Sequence, residues 1–170
     1  SYGVTPDDVE SESVQVSGFA VRDAVREYSN WRATGSLHDY LSDAGITAIE
    51  QIDTRRLTRH IRSLGAMRGA ISTEDLDPAS LRERVLASPS MEGLNLVDPV
   101  TTTRPYRAAD VIGAHAVPRD GRIFKVAAYD YGIKYNILRM LAARGCDVTV
   151  YPASHPAADI LSGGYDGVFL

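Results

Sequence analysis

Residues 45–71 read GITAIEQIDTRRLTRHIRSLGAMRGAI, and the fold of the first half of the chain turns on this stretch. Ile46 to Ile49 is a short apolar segment, and Asp53 places a carboxylate where it can cap the free amides of a helix starting at Thr54. Leu57, Ile61 and Leu64 then recur at i, i+4 and i+7, which makes one apolar stripe, and Gly65 supplies the residue type that ends helices. Ala66 to Ile71 reads as a strand, so the expected unit is strand, capped helix, strand. Opposite the stripe stand Arg55, Arg56, Arg59 and Arg62, with Arg68 beyond the helix, and no acid intervenes between Asp53 and Glu74. Such a face either lies in solvent or docks on a partner. Nucleic acid is the poorer partner, because the 170-residue chain carries a net charge of −4 and no aromatic residue is interleaved with the arginines.

Upstream, Val14, Val16, Phe19 and Val21 nearly alternate around Gly18, which predicts a strand over 14–22, after a polar, acidic loop over residues 1–13. Trp31, the lone tryptophan, is expected to be a partly buried anchor. Ser36 and Asp39 form a near capping box for a short helix closed by Gly45, with His38 on its outer side. Downstream, Asp77 and Pro78 cap and open another helix, with Leu81, Val85 and Leu86 as its buried stripe, ending near Ser88. Residues 101–121 have the composition of a connection. Phe124 to Tyr129 then reads as a parallel-sheet strand, Ile133, Ile137, Met140 and Leu141 as the apolar face of a helix, and Val148 to Tyr151 as the next strand. That is a right-handed βαβ unit. A short helix over 156–161 and a strand from Val168 follow it.

Several strings carry a resemblance in one order along the chain. They are VSGFAVRD (16–23), SNWR (29–32), SLHDYL (36–41), the IDTRRLTRHIR and GAMRGAI strings above, and VAAYDYGIKYNILRMLAARGCDVTVYPA (126–153). Together they are similar to the small, glutamine-hydrolysing subunit family of carbamoyl phosphate synthetase, a class I amidotransferase family. The resemblance implies α/β and α+β folds: a small-subunit N-terminal α+β domain over 1–108, a linker over 109–122, and over 123–170 the start of a flavodoxin-like amidotransferase domain. It also implies that the parent subunit hydrolyses glutamine through a cysteine thioester and passes ammonia to a large subunit. That partner would bind ATP and magnesium and make carbamoyl phosphate for arginine and pyrimidine synthesis, in a heterodimer or higher assembly in the cytoplasm. The implied role of the N-terminal domain is docking.

The residues present carry little of that chemistry. Relatives of this family place a nucleophile elbow, its histidine and glutamate, and a glutamine-binding S-N-G-P-G-D type loop beyond the position of Leu170. Cys146 lies at the start of a strand rather than at a strand-to-helix elbow, so it reads as a small buried hydrophobe. No catalytic residue is therefore expected in this chain, nor a cofactor. The scattered histidines and single cysteine give no metal pattern, and no apolar run is long enough to cross a bilayer. Lys134 and Asn136 open the helix after the first strand of the βαβ unit. They are candidates for a cleft or subunit interface at the carboxyl edge of the sheet, or simply face solvent. Only Gly132 precedes that helix, so the dinucleotide fingerprint is absent. Two alternatives remain: a non-catalytic docking module for the large subunit, and an unrelated α/β binding protein with a basic helix.

Overall fold

The computed structural model describes residues 3–170; Ser1 and Tyr2, part of the expected N-terminal loop, lie outside the described residues. The chain divides into two compact units, 1–94 and 95–170. This division falls upstream of the expected boundary at residue 108, because the segment expected to be a connection is built into the second unit.

In the first unit β1 (Gly18–Ala20) pairs in parallel with β2 (Thr47–Ile49), in the register Gly18↔Thr47 to Ala20↔Ile49. The expected strand over 14–22 is thus only three residues long. Helix α1 (Leu37–Asp43) starts where Ser36 accepts a bond from the Asp39 amide at 3.0 Å, while the Ser36 hydroxyl donates to the Asp39 carboxylate at 2.7 Å. Helix α2 (Thr54–Leu64) starts at Asp53, whose carboxylate accepts from the Arg56 amide at 2.9 Å, and stops at Gly65 with φ of +86°. Helix α3 (Pro78–Ala87) is capped by Asp77, which accepts from the amides of Ala79 and Ser80. These starts are set locally, by a side-chain acceptor two or three residues ahead of an orphan amide.

Other expectations for this unit fail for reasons of tertiary structure. Ala66–Ile71 is not a strand, since neither β1 nor β2 pairs with it. Arg68 instead donates to the carbonyl oxygens of Leu86 and Ser88 and so ties this segment to the carboxyl end of α3, where a cation also complements the helix dipole. Trp31 is 91% exposed rather than an anchor. The α2 stripe is exposed too, at 39% for Leu57 and Ile61 and 68% for Leu64, and Leu86 is exposed on α3. Leu41 is the one buried hydrophobic residue of this unit among the described residues.

The second unit has the opposite character. Strand β3 (Tyr106–Arg107) and helix α4 (Ala108–Ile112) lie within residues 101–121, expected to be a connection, and Ala108 is buried. Strands β4 (Phe124–Asp130), β5 (Cys146–Pro152) and β6 (Gly167–Phe169) complete a sheet in the order β3-β5-β4-β6. β4 is parallel to both neighbours, and β3 runs antiparallel on the β5 edge. Alternation along β4 sends Ala128 to one face, against α4 and α5 (Tyr135–Ala142), and Ala127 and Tyr129 to the other, against Ile160 of α6 (Ala157–Ser162). Both faces are covered, as a parallel strand pair requires.

On α5 the fully buried residues are Leu138 and Ala142, whereas Met140, expected on the buried face, is half exposed. Leu138 has no exposed surface and packs with Ala128, Val148 and Val150. Leu138→Ala is therefore expected to destabilise the second unit by roughly 2–5 kcal/mol, read as a lower denaturation midpoint. A change under about 0.5 kcal/mol, the size usual for surface substitutions, would contradict this packing.

In the first unit the Asp75 carboxylate accepts from the Ser80 hydroxyl at 2.8 Å and the Asp77 amide at 3.2 Å, with Arg84 at 3.5 Å. The Ser80 bond first, then the Asp77 amide, holds the carboxyl below its ordinary value. A lowered folded-state value means that the contribution is complete above the unfolded value and is lost as pH falls through the folded one. Ser80→Ala should raise the Asp75 titration midpoint toward the ordinary aspartate value, followed by carboxyl-carbon NMR. An unmoved midpoint would remove the hydroxyl as the main cause.

Candidate functional site

Two places can meet a ligand or partner: the outer surface of α2 and the carboxyl edge of the second unit's sheet. On α2, Arg55, Arg56, Arg59 and Arg62 are all exposed, and none forms an ion pair with a carboxylate among the described residues. The fifth arginine of the sequence cluster, Arg68, is separate from this face because its guanidinium caps α3. The α2 surface thus exposes guanidinium groups together with apolar Leu57, Ile61 and Leu64. Guanidinium groups offer planar, multiple donors to carboxylates, and the apolar side chains lose water on contact. The arginine side suits an acidic protein surface, and the apolar stripe lies on the opposite side of the helix.

At the carboxyl edge, β4 ends in Asp130, which is 6% exposed. Its Oδ1 accepts from the amides of Gly132 and Ile133, each at 2.9 Å, and its Oδ2 accepts from the Thr102 amide at 2.7 Å. One carboxylate therefore holds both the turn leading to α5 and the segment around residue 102. Gly132 has φ of +94°, a conformation that disfavours a side chain, and a Cβ there would stand in ordinary contact, 3.4 Å, with Val100. A second bond fixes the same segment, from the Ala153 amide to the Thr101 hydroxyl at 2.8 Å. Residues 100–104 form a strap across the carboxyl ends of β4 and β5.

Lys134 is the N-cap residue of α5, without a side-chain cap bond, and Asn136 is in its first turn; both are exposed at this edge. Tyr131, on the same turn, stacks 6.1 Å from Tyr129. In the sequence, Asp130 stands directly after the apolar run of β4. An aspartate two residues before glycine is itself a turn signal, whereas the bond to Thr102 spans 28 residues and has no local signature.

Beyond β5, Tyr129 donates to the His155 carbonyl at 3.0 Å, and the His155 ring lies 4.4 Å from Tyr151. The Tyr151 and Tyr165 hydroxyls are 2.6 Å apart, and that bond, with desolvation, pushes the Tyr151 phenol up to about 12. These contacts fasten α6 to the sheet. Cys146 is the first residue of β5, paired with Phe124, while His155 follows its other end. A seven-residue strand spans about 20 Å, so the thiol and imidazole are not a pair. No group of three or more potential metal-ligating side chains occurs among the described residues. No helix among them is long and apolar enough to cross a membrane.

Residues 1–71 match the family model described as the carbamoyl-phosphate synthase small chain, CPSase domain. The chain is 48% identical over 174 residues to the carbamoyl phosphate synthase small chain of Syntrophotalea carbinolica, covering 100% of this chain and 46% of the relative. It is 52% identical over 171 residues to the small chain of a Synechococcus species, covering 99% and 44%. A third small chain, from Nitratidesulfovibrio vulgaris, is 48% identical over 176 residues, covering 100% and 47%. The chain spans about half the length of the curated relatives it matches.

Proposed function

We propose, on the premise that this chain falls within the carbamoyl phosphate synthase small-chain family over the length it spans, that it is part of a subunit supplying ammonia from glutamine to a large subunit. The observation that carries this reading is identity near one half along the whole chain, across both structural units. The large subunit would use the ammonia, with ATP, to form carbamoyl phosphate for arginine and pyrimidine synthesis in the cytoplasm. The first unit would dock, and the second would contribute one wall of the glutamine cleft at the carboxyl ends of β4 and β6, where the strand order changes direction. Lys134 and Asn136 would border that cleft or the adjoining subunit surface.

Within this reading the 170 residues themselves are a docking and scaffolding part. Thioester chemistry needs a thiolate and an imidazole in hydrogen-bond reach, and Cys146 and His155 lie at opposite ends of β5. The function is tested by mixing the complete protein with a large subunit, bicarbonate and ATP, and measuring carbamoyl phosphate with glutamine or ammonia as nitrogen donor. Product from either donor is expected; product from ammonia alone would defeat the reading. In parallel, the 170-residue chain should release no ammonia from glutamine, with or without the large subunit. Turnover lost in a Cys146→Ser variant would overturn the structural role of that cysteine.

The arginine face supports an electrostatic contribution to docking, which acts mainly on association rate and specificity. Arg55→Glu with Arg59→Glu is expected to slow association with the large subunit about tenfold or more at low salt, and less as salt rises. Equal association rates at every salt concentration would return this face to solvent.

A further inference from the structure

We propose that Asp130 is a positioning residue whose buried carboxylate couples the strap over residues 100–104 to the turn at residues 131–134, and through that turn sets the glutamine-binding edge. The proposal rests on the functional reading above only for its last step. The coupling itself stands on geometry. The two oxygens of Asp130 divide their work, Oδ1 holding the Gly132 and Ile133 amides and Oδ2 the Thr102 amide, so neither segment can move away without giving up a charge-assisted bond. The carboxylate is 6% exposed, so water does not readily replace a lost partner. A Cβ on Gly132 would stand 3.4 Å from Val100, ordinary contact distance, so strap and turn also adjoin sterically. The Thr101 hydroxyl anchors the strap independently to Ala153, beyond the end of β5.

The same carboxylate could have been satisfied wholly by its own turn. That it also takes an amide 28 residues upstream makes the strap part of the ligand edge rather than a passive crossing. Displacing the strap should loosen the turn that carries Tyr131 and Lys134. A substrate using that edge must then order it on binding, which raises KM while leaving the chemical step alone.

Two variants separate the arms. Asp130→Asn keeps shape and volume, but whichever way its amide turns, an NH2 group meets a backbone N–H on one arm. Thr101→Val leaves Asp130 untouched and removes only the acceptor for the Ala153 amide. Amide hydrogen exchange in the complete protein should speed up by about tenfold at Gly132 and Ile133 in both variants, the loss typical of one such bond. In the assembled enzyme both should raise KM for glutamine about fivefold or more, with kcat within about twofold. A merely structural role would lower thermal stability without that split. Unchanged exchange at Gly132 and Ile133 in Thr101→Val, or unchanged KM in either folded variant, would overturn the proposal. If Asp130→Asn fails to fold, Thr101→Val decides alone. Wild-type protein without glutamine turnover would defeat the functional reading instead, and the exchange measurement would then uphold or overturn the coupling by itself.

Discussion

The parallel pairing of β4 with β5, seven registered positions from Phe124↔Cys146 to Asp130↔Pro152, is the constraint on which the rest of the second unit depends. A parallel pair needs a crossover, and α5 supplies it over one face. The chain then returns through α6 over the other face and adds β6 on the far side of β4. Because the strand order reverses at β4, the carboxyl end of that strand becomes the place where a ligand can enter. Asp130 is the last paired residue of the strand, so its carboxylate lies at the point where the sheet stops and the turn to α5 begins.

The first unit is held together differently. Its helices have well-formed starts at Ser36, Asp53 and Asp77, but its two strands contribute three residues each and its large side chains are mostly exposed. Local capping sets where a helix begins and adds about 1 kcal/mol apiece; it does not bury apolar area. The exposed stripe of α2, on the side opposite Arg55, Arg59 and Arg62, is therefore surface that gains from being covered, and this physical asymmetry between the units fits the docking role proposed for the first.

What the sequence made legible follows the range of the interactions. Caps at Ser36, Asp53 and Asp77 act over two or three residues and could be read directly. β4, α5 and β5 could be read because burial leaves an apolar run in β4, an apolar face on α5 and apolar residues at Val148, Val150 and Tyr151 of β5. The deepest residue of α5 could not, since Ile137, Leu138, Met140 and Leu141 spread over one wide apolar arc, and only the sheet selects Leu138 within it. Ala66 to Ile71 has strand composition but pairs with no strand, and Trp31 has the character of an anchor but is exposed, because both properties depend on distant parts of a fold. The strap was equally hidden. Thr101 to Arg104 reads as a polar connection, and its role comes from Asp130 and Ala153, far away in sequence.

In the proposed function, the α2 surface would belong to an interface with a large subunit. Hydrogen exchange across Thr54–Leu64 in the complete protein, free and assembled with that subunit, tests it most directly. Slower exchange along α2 on assembly is expected, strongest around Arg55 to Arg62, with the protection weakening as salt is raised. Identical exchange along this helix in the free and assembled protein would contradict it.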